Sequence, residues 1–154
     1  MKSALIMILM CTSVVLGSAS SCIKEVEPMN SINNSTMENG KIKITVNSQS
    51  FTATLLDNDS AKAFMIMLPM TIHMTELNGN EKYDDLSNSL PTNSSNPGTI
   101  KNGDLMLYGS KTLVLFYKTF STAYNYTKLG TLDDATGLAS ALGSRNVTVT
   151  FAVE

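Results

Sequence analysis

From Lys41 onward, apolar and polar positions alternate in short runs separated by turn-forming residues. Ile42, Ile44 and Val46 alternate with polar neighbours, Asn47-Ser48 supplies a turn, and Phe51, Ala53 and Leu55 resume the alternation. A period of two places one apolar face on each segment, so the pattern predicts two antiparallel strands. Asp57-Asn58-Asp59 then offers capping oxygens ahead of a short apolar helix over Ser60 to Leu68, which Pro69 closes because it disfavours helical geometry in the residue before it. Met70, Ile72 and Met74 predict a third strand. The stretch from Asn78 to Gly98, NGNEKYDDLSNSLPTNSSNPG, reads as a long loop rich in Asn, Ser and Pro.

Beyond it, Asp104 to Tyr108 and Lys111 to Tyr117 are joined by Gly109-Ser110, a pair suited to a tight type II′ hairpin. Residues 113–117, LVLFY, are apolar at consecutive positions, which predicts a strand covered on both sides, by the barrel interior and by a helix. A further strand is expected over Tyr124 to Lys128. Asp133 or Asp134 would cap a helix running to Leu142, stopped by Gly143, and Val147, Val149 and Phe151 alternate as a closing strand. About seven strands and two short helices most economically close as a mainly β barrel with the helices plugging its ends.

The segment from Gly103 to Gly130 holds six of the ten aromatic residues of the chain. Tyr124 and Tyr126 lie two apart, with Tyr108, Tyr117 and Phe120 nearby in sequence, and together they would line a groove with apolar walls and hydroxyl rims. Tyr83, in the long loop, would lie over the same groove. Such a surface suits a peptide or a small apolar ligand. The alternative is that Phe116, Phe120 and most of the tyrosines pack the barrel.

The first residues change the picture of where the domain works. Lys2, a mostly apolar run from Ala4 to Leu16 and small residues leading to Cys22 read as an export signal over residues 1–21. Ala19, Ser20 and Ser21 before Cys22 resemble the cleavage box of bacterial lipoproteins, which implies acylation of the Cys22 thiol, a membrane partner through that lipid and a periplasmic or surface-exposed envelope location. The alternative is ordinary signal cleavage nearby, leaving Cys22 a free thiol. Cys11 would leave with the signal, so no cysteine pair remains to form a disulfide. Residues 22–40, rich in Asn, Ser and acidic side chains, read as a flexible tether holding the 41–154 domain on the order of 20 to 25 Å from the lipid. The formal net charge of −2 over the whole chain gives no electrostatic footprint for nucleic acid.

The segments KIKITVNSQSFTATLLDNDSAKAF, LNGNEKYDDL, GDLMLYG, LVLFYKTFST and YTKLG, in this order, resemble a bacterial cyclophilin-like domain family over Lys41 to Glu154. The resemblance implies a closed cyclophilin-like β-barrel. It also raises an accessory role beside a flavodoxin-like or other envelope partner, since domains of that family neighbour such proteins; no flavin-binding segment is read in these residues. Prolyl isomerisation is a further expectation that needs a physical test. The amide barrier is about 18–20 kcal/mol, and lowering it takes an apolar pocket plus a donor that favours loss of amide conjugation. In active cyclophilins that donor is an arginine within a Phe-His-Arg segment followed by a Gln-Gly-Gly-Asp element, and this chain has neither. Its one arginine, Arg145, lies in the turn after the last helix. A non-catalytic binding module is therefore the leading expectation, with a divergent isomerase as the alternative.

No cofactor or metal is expected. One histidine, His73, on the polar face of its strand, gives too few ligands for a transition metal. Asp57-Asn58-Asp59 starts like a calcium loop, but Ala61 and Leu68 stand where oxygen ligands belong, so capping is the better reading. Glu81, Asp84 and Asp85 read as a solvated acidic turn with, at most, weak calcium affinity. The ten methionines read as adaptable core filler.

Overall fold

The computed structural model describes residues 40–154. The readings of a signal segment, of lipidation at Cys22 and of a tether fall on residues outside that range.

The expected closed barrel forms, but from eight antiparallel strands, with two further strands outside it, rather than from about seven in all. In chain order the elements are β1 Lys41–Val46, β2 Gln49–Leu55, α1 Asp59–Ile66, β3 Met70–Leu77, β4 Glu81–Asp85, β5 Thr99–Ile100, β6 Asp104–Tyr108, β7 Thr112–Phe116, β8 Phe120–Ser121, β9 Thr127–Leu132, α2 Leu138–Leu142 and β10 Val147–Val153. Around the barrel the order is β1-β10-β3-β4-β7-β6-β9-β2, and β5 pairs with β8 as a separate two-stranded ribbon. Ile42, Ile44, Val46, Met74, Leu113, Leu115, Val149 and Phe151 fill the barrel interior. Because α1 joins β2 to β3 and α2 joins β9 to β10, antiparallel pairing puts the two helices at opposite ends. Each buries its apolar side in the same core. Phe64 of α1 meets Phe151 edge-to-face at 5.8 Å, and Leu138 and Leu142 of α2 are buried.

Asn58, the middle residue of its Asp-Asn-Asp triplet, caps α1: its side-chain oxygen accepts from the Ala61 N–H at 2.8 Å. Gly130 sits where β9 presses on β2, and a Cβ there would lie 2.5 Å from the Thr54 carbonyl oxygen. Only glycine permits that approach.

Several expectations need correction. The stretch from Asn78 to Gly98 is not all loop, because β4 occupies Glu81–Asp85. Asn78 and Gly79 both adopt positive φ and turn β3 back into β4, with Leu77 opposite Glu81. The strand escaped its pattern because its buried inward residue is a lysine, Lys82. The β6–β7 connection has three residues, Gly109 to Lys111, rather than two, since Tyr108 pairs with Thr112. The longer turn presents the Ser110 and Lys111 carbonyls to the Leu90 and Leu86 N–H groups, which donate at 2.7 and 2.9 Å. The strand expected over Tyr124 to Lys128 starts at Thr127, and Tyr126 instead bridges Ser95. α2 begins at Leu138 after Gly137, whose φ is 84°, while the Asp134 carboxylate accepts from the Thr136 N–H in a local turn. α1 ends at Ile66, two residues short of Leu68.

Candidate functional site

The strand LVLFY is apolar on both faces because it separates two cores. Leu113, Leu115 and Tyr117 belong to the barrel interior, whereas Val114 and Phe116 belong to an outer cluster with Ile100, Met106 and Tyr126. The outer cover is therefore the β5–β8 ribbon and aromatic side chains, not the expected helix. Period-two geometry sends Glu81 and Tyr83 outward on β4, and the register sets Glu81 opposite Phe116 and Tyr83 opposite Val114. On the other side of β7, Met106 pairs with Val114 and Tyr108 with Thr112. The rings then build on one another. Phe116 lies 5.7 Å from Phe120 and 5.5 Å from Tyr126, and Tyr108 lies 5.6 Å from Tyr126 and 6.3 Å from Tyr124, the last pair at 88°.

These rings border an open cleft of about 540 Å³ on the outer barrel wall. That volume falls among ordinary small-ligand sites. Tyr83, Tyr108, Phe120, Tyr124 and Tyr126 all line it, so five of the six aromatic residues singled out from the sequence are brought together. Their roles differ. Tyr124 is 64% exposed at the rim, while Tyr126 is 8% exposed in the wall. Burial, with the nearby Glu81 charge second, pushes the Tyr126 hydroxyl up to about 12, so it stays protonated through the neutral range.

Tyr117 does not belong to this group. Its ring is part of the barrel core, and its hydroxyl donates to the Glu76 carboxylate at 2.7 Å. Burial and then that bond hold the Tyr117 phenol well above the usual range. The Lys82 ammonium reaches the same carboxylate and also donates to the Gly143 and Arg145 carbonyls at 2.8 and 2.7 Å. Burial alone would raise the Glu76 carboxyl; Lys82, Tyr117 and the Gly79 N–H outweigh it and hold it below its ordinary value. This inner knot fixes β4 from within, and β4 carries Glu81 and Tyr83 to the cleft on its other face.

Sequence reasoning placed Glu81 in a solvated acidic turn and did not single out Leu77, Asn78 and Asn80; together they form the end of the cleft nearest the β3–β4 turn. The Asn-Gly pair at 78–79 was the available signal, since it marks a hairpin and thereby a strand after it. Burial, followed by the charge of Glu76, raises the Glu81 carboxyl above its ordinary value. Asn80 keeps its side-chain oxygen buried without a hydrogen-bond partner.

Arg145 is exposed in the α2–β10 turn and is not part of the cleft lining. His73 is exposed, with Nδ1 3.2 Å from the Thr148 hydroxyl. β4 spreads Glu81, Asp84 and Asp85 along an extended strand, and the Asp85 carboxylate accepts from the Thr112 hydroxyl at 2.7 Å. Among the described residues no three His, Cys, Asp or Glu side chains converge as metal ligands do.

A closed eight-stranded antiparallel barrel with a helix at each end, carrying an aromatic cleft on its outer wall, defines a cyclophilin-like class of domain. The chain belongs to the cyclophilin-like family, whose profile matches residues 44–152. Its fold is similar to the solution structure of a hypothetical protein from Archaeoglobus fulgidus, with a TM-score of 0.54 and 14% identity over 75% of this chain and 95% of that one. No curated protein matches the chain.

Proposed function

We propose that this member of the cyclophilin-like family is a lipid-anchored protein of the bacterial envelope, and that its aromatic cleft is a non-catalytic binding site for a peptide or small apolar ligand. The observation that carries the binding role is the cleft itself, a preformed concavity of about 540 Å³ lined by five aromatic side chains from β4, β6, β8 and the β8–β9 connection. Aromatic walls give a ligand large apolar contact at low entropic cost, and their hydroxyls orient it. The non-catalytic reading is supported by the position of Arg145, whose side chain lies on the exposed α2–β10 turn, away from the cleft lining, so no guanidinium is there to polarise a prolyl amide. The anchoring part rests on the Cys22 sequence context.

The chain has no tryptophan and five tyrosines, of which Tyr83, Tyr108, Tyr124 and Tyr126 line the cleft, so intrinsic tyrosine emission reports its occupancy. Titration with pentanol and with a doubly blocked norleucine amide should give a saturable change that Tyr124→Ala diminishes. A flat response to both would remove the binding role. Acceleration of a proline-limited refolding reaction, abolished by Arg145→Ala, would replace the non-catalytic reading with the isomerase.

A further inference from the structure

The cleft is not electrostatically neutral. Among the described residues Glu81 is the one charged side chain in its lining, and no lysine, arginine or histidine accompanies it. Among the described residues Glu81 has no ion-pair partner; the four salt bridges all lie elsewhere. The nearby acid Glu76 is already engaged by Lys82, Tyr117 and Gly79, on the inner side of the sheet. A half-buried carboxylate without a counterion, set at one end of an aromatic enclosure, is an unmet demand for positive charge.

The rings meet the same demand. Aromatic faces are negative and attract a cation held within about 6 Å of the centroid. Tyr108 and Tyr124 stand at 88° to one another, and Tyr108 and Tyr126 at 53°, so the walls form a corner rather than a flat stack. Asn80 lines the wall beside Glu81. A carboxylate favours a cation that carries N–H groups over one whose nitrogen is fully alkylated.

Building on the binding role above, we propose that the cleft is selective for a primary alkylammonium group, its apolar stem lying along the tyrosine rings and its charge paired with Glu81. A lysine side chain in a peptide and a free alkylamine share this chemistry. The apolar stem replaces water on the Val114 and Phe120 side of the cleft, and the ammonium supplies the counterion that the protein itself does not.

The test measures tyrosine emission of the full chain against matched pairs that differ only in charge: pentylamine with pentanol, and a doubly blocked lysine amide with its norleucine counterpart. The cationic member of at least one pair should bind about tenfold or more tightly than its uncharged partner, and Glu81→Gln should abolish that preference, bringing the two members of the pair to equal affinity. Preference in the lysine pair alone assigns the site to peptides, and preference in the amine pair alone assigns it to small molecules. Equal affinity within both pairs would overturn the charge selectivity while the binding role stands. Binding by none of the four probes would overturn both. An unaltered cation preference in the Glu81→Gln protein would also overturn the assignment, and Tyr124→Ala, at the exposed rim, gives an independent check that the signal comes from the cleft.

Discussion

Replacing Lys82 by methionine tests the inner knot that holds β4. The side chain is fully buried, and its ammonium serves the Glu76 carboxylate and the carbonyls of Gly143 and Arg145. Methionine keeps most of the stem packing and removes all three hydrogen bonds. Stripping one partner from a buried ion pair costs about 3–5 kcal/mol, because the other charge is left without compensation. Here the lower end applies. Glu76 is 18% exposed and retains the Tyr117 hydroxyl and the Gly79 N–H, and both carbonyls lie in an exposed turn that water can reach. The expected loss is therefore about 3 kcal/mol, a large fraction of the roughly 5–15 kcal/mol typical of a folded domain. Urea unfolding followed by circular dichroism reads it directly. The double variant Lys82→Met/Glu76→Gln should recover at least about 1 kcal/mol of the loss, since the stranded charge is then gone. A single variant that loses less than about 1 kcal/mol would refute the reasoning, because the ammonium would not be what ties β4 to the α2–β10 turn.

Gly130→Ala should destabilise the barrel by about 1–3 kcal/mol, since the new Cβ meets the Thr54 carbonyl oxygen and neither backbone can yield; the urea midpoint is the readout. Glu76 and Glu81 should shape the pH dependence of stability in opposite senses. The lowered Glu76 value contributes stability that is present above its unfolded value near 4.5 and lost as pH falls through the folded one, so Glu76→Gln flattens the acid limb of a thermal melt profile. The raised Glu81 value contributes stability that is present below 4.5 and lost as pH rises through the folded value. Glu81→Gln should therefore raise the melting temperature at pH near 7 and leave it unchanged below about 4, and the reverse pattern would contradict the burial of that carboxyl. For the proposed anchor, Cys22→Ser should move the protein from the membrane to the soluble fraction, and retention through a high-salt wash would exclude the thiol as the main tether.

β1, β2, β3 and β10 were legible as a period-two pattern, β6 and β7 from their turn and apolar run, and both helices from capping and stop residues, whereas β9 lies at Thr127–Leu132 and not over Tyr124 to Lys128. β4 was not legible, because Lys82 stands where the pattern expects an oily residue and is made tolerable by acceptors from β3 and the α2–β10 turn. The two carbonyl partners are 61 and 63 positions away in the chain, beyond any local window. Most of the aromatic cleft could be named from the crowding of rings between Tyr108 and Tyr126. The same proximity misassigned Tyr117, since one residue of offset on a strand reverses its face. Tyr117 follows the inward parity of Leu113 and Leu115, while Val114 and Phe116 look outward. Glu81 could enter only through the register of β4 against β7, which no single segment encodes.

Closing the sheet upon itself also governs how copies of this domain meet. Every barrel strand has a hydrogen-bonded neighbour on each flank, so among the described residues no barrel strand has a whole edge open to strand addition, and only part-rows such as Met70–Met74 of β3 are paired on one side alone. The two strands of the β5–β8 ribbon have two residues each, too short to template a growing stack. Crowded copies would therefore encounter one another mainly through side chains, with Ile66 and the rings of Tyr108 and Tyr124 among the exposed apolar groups they would find.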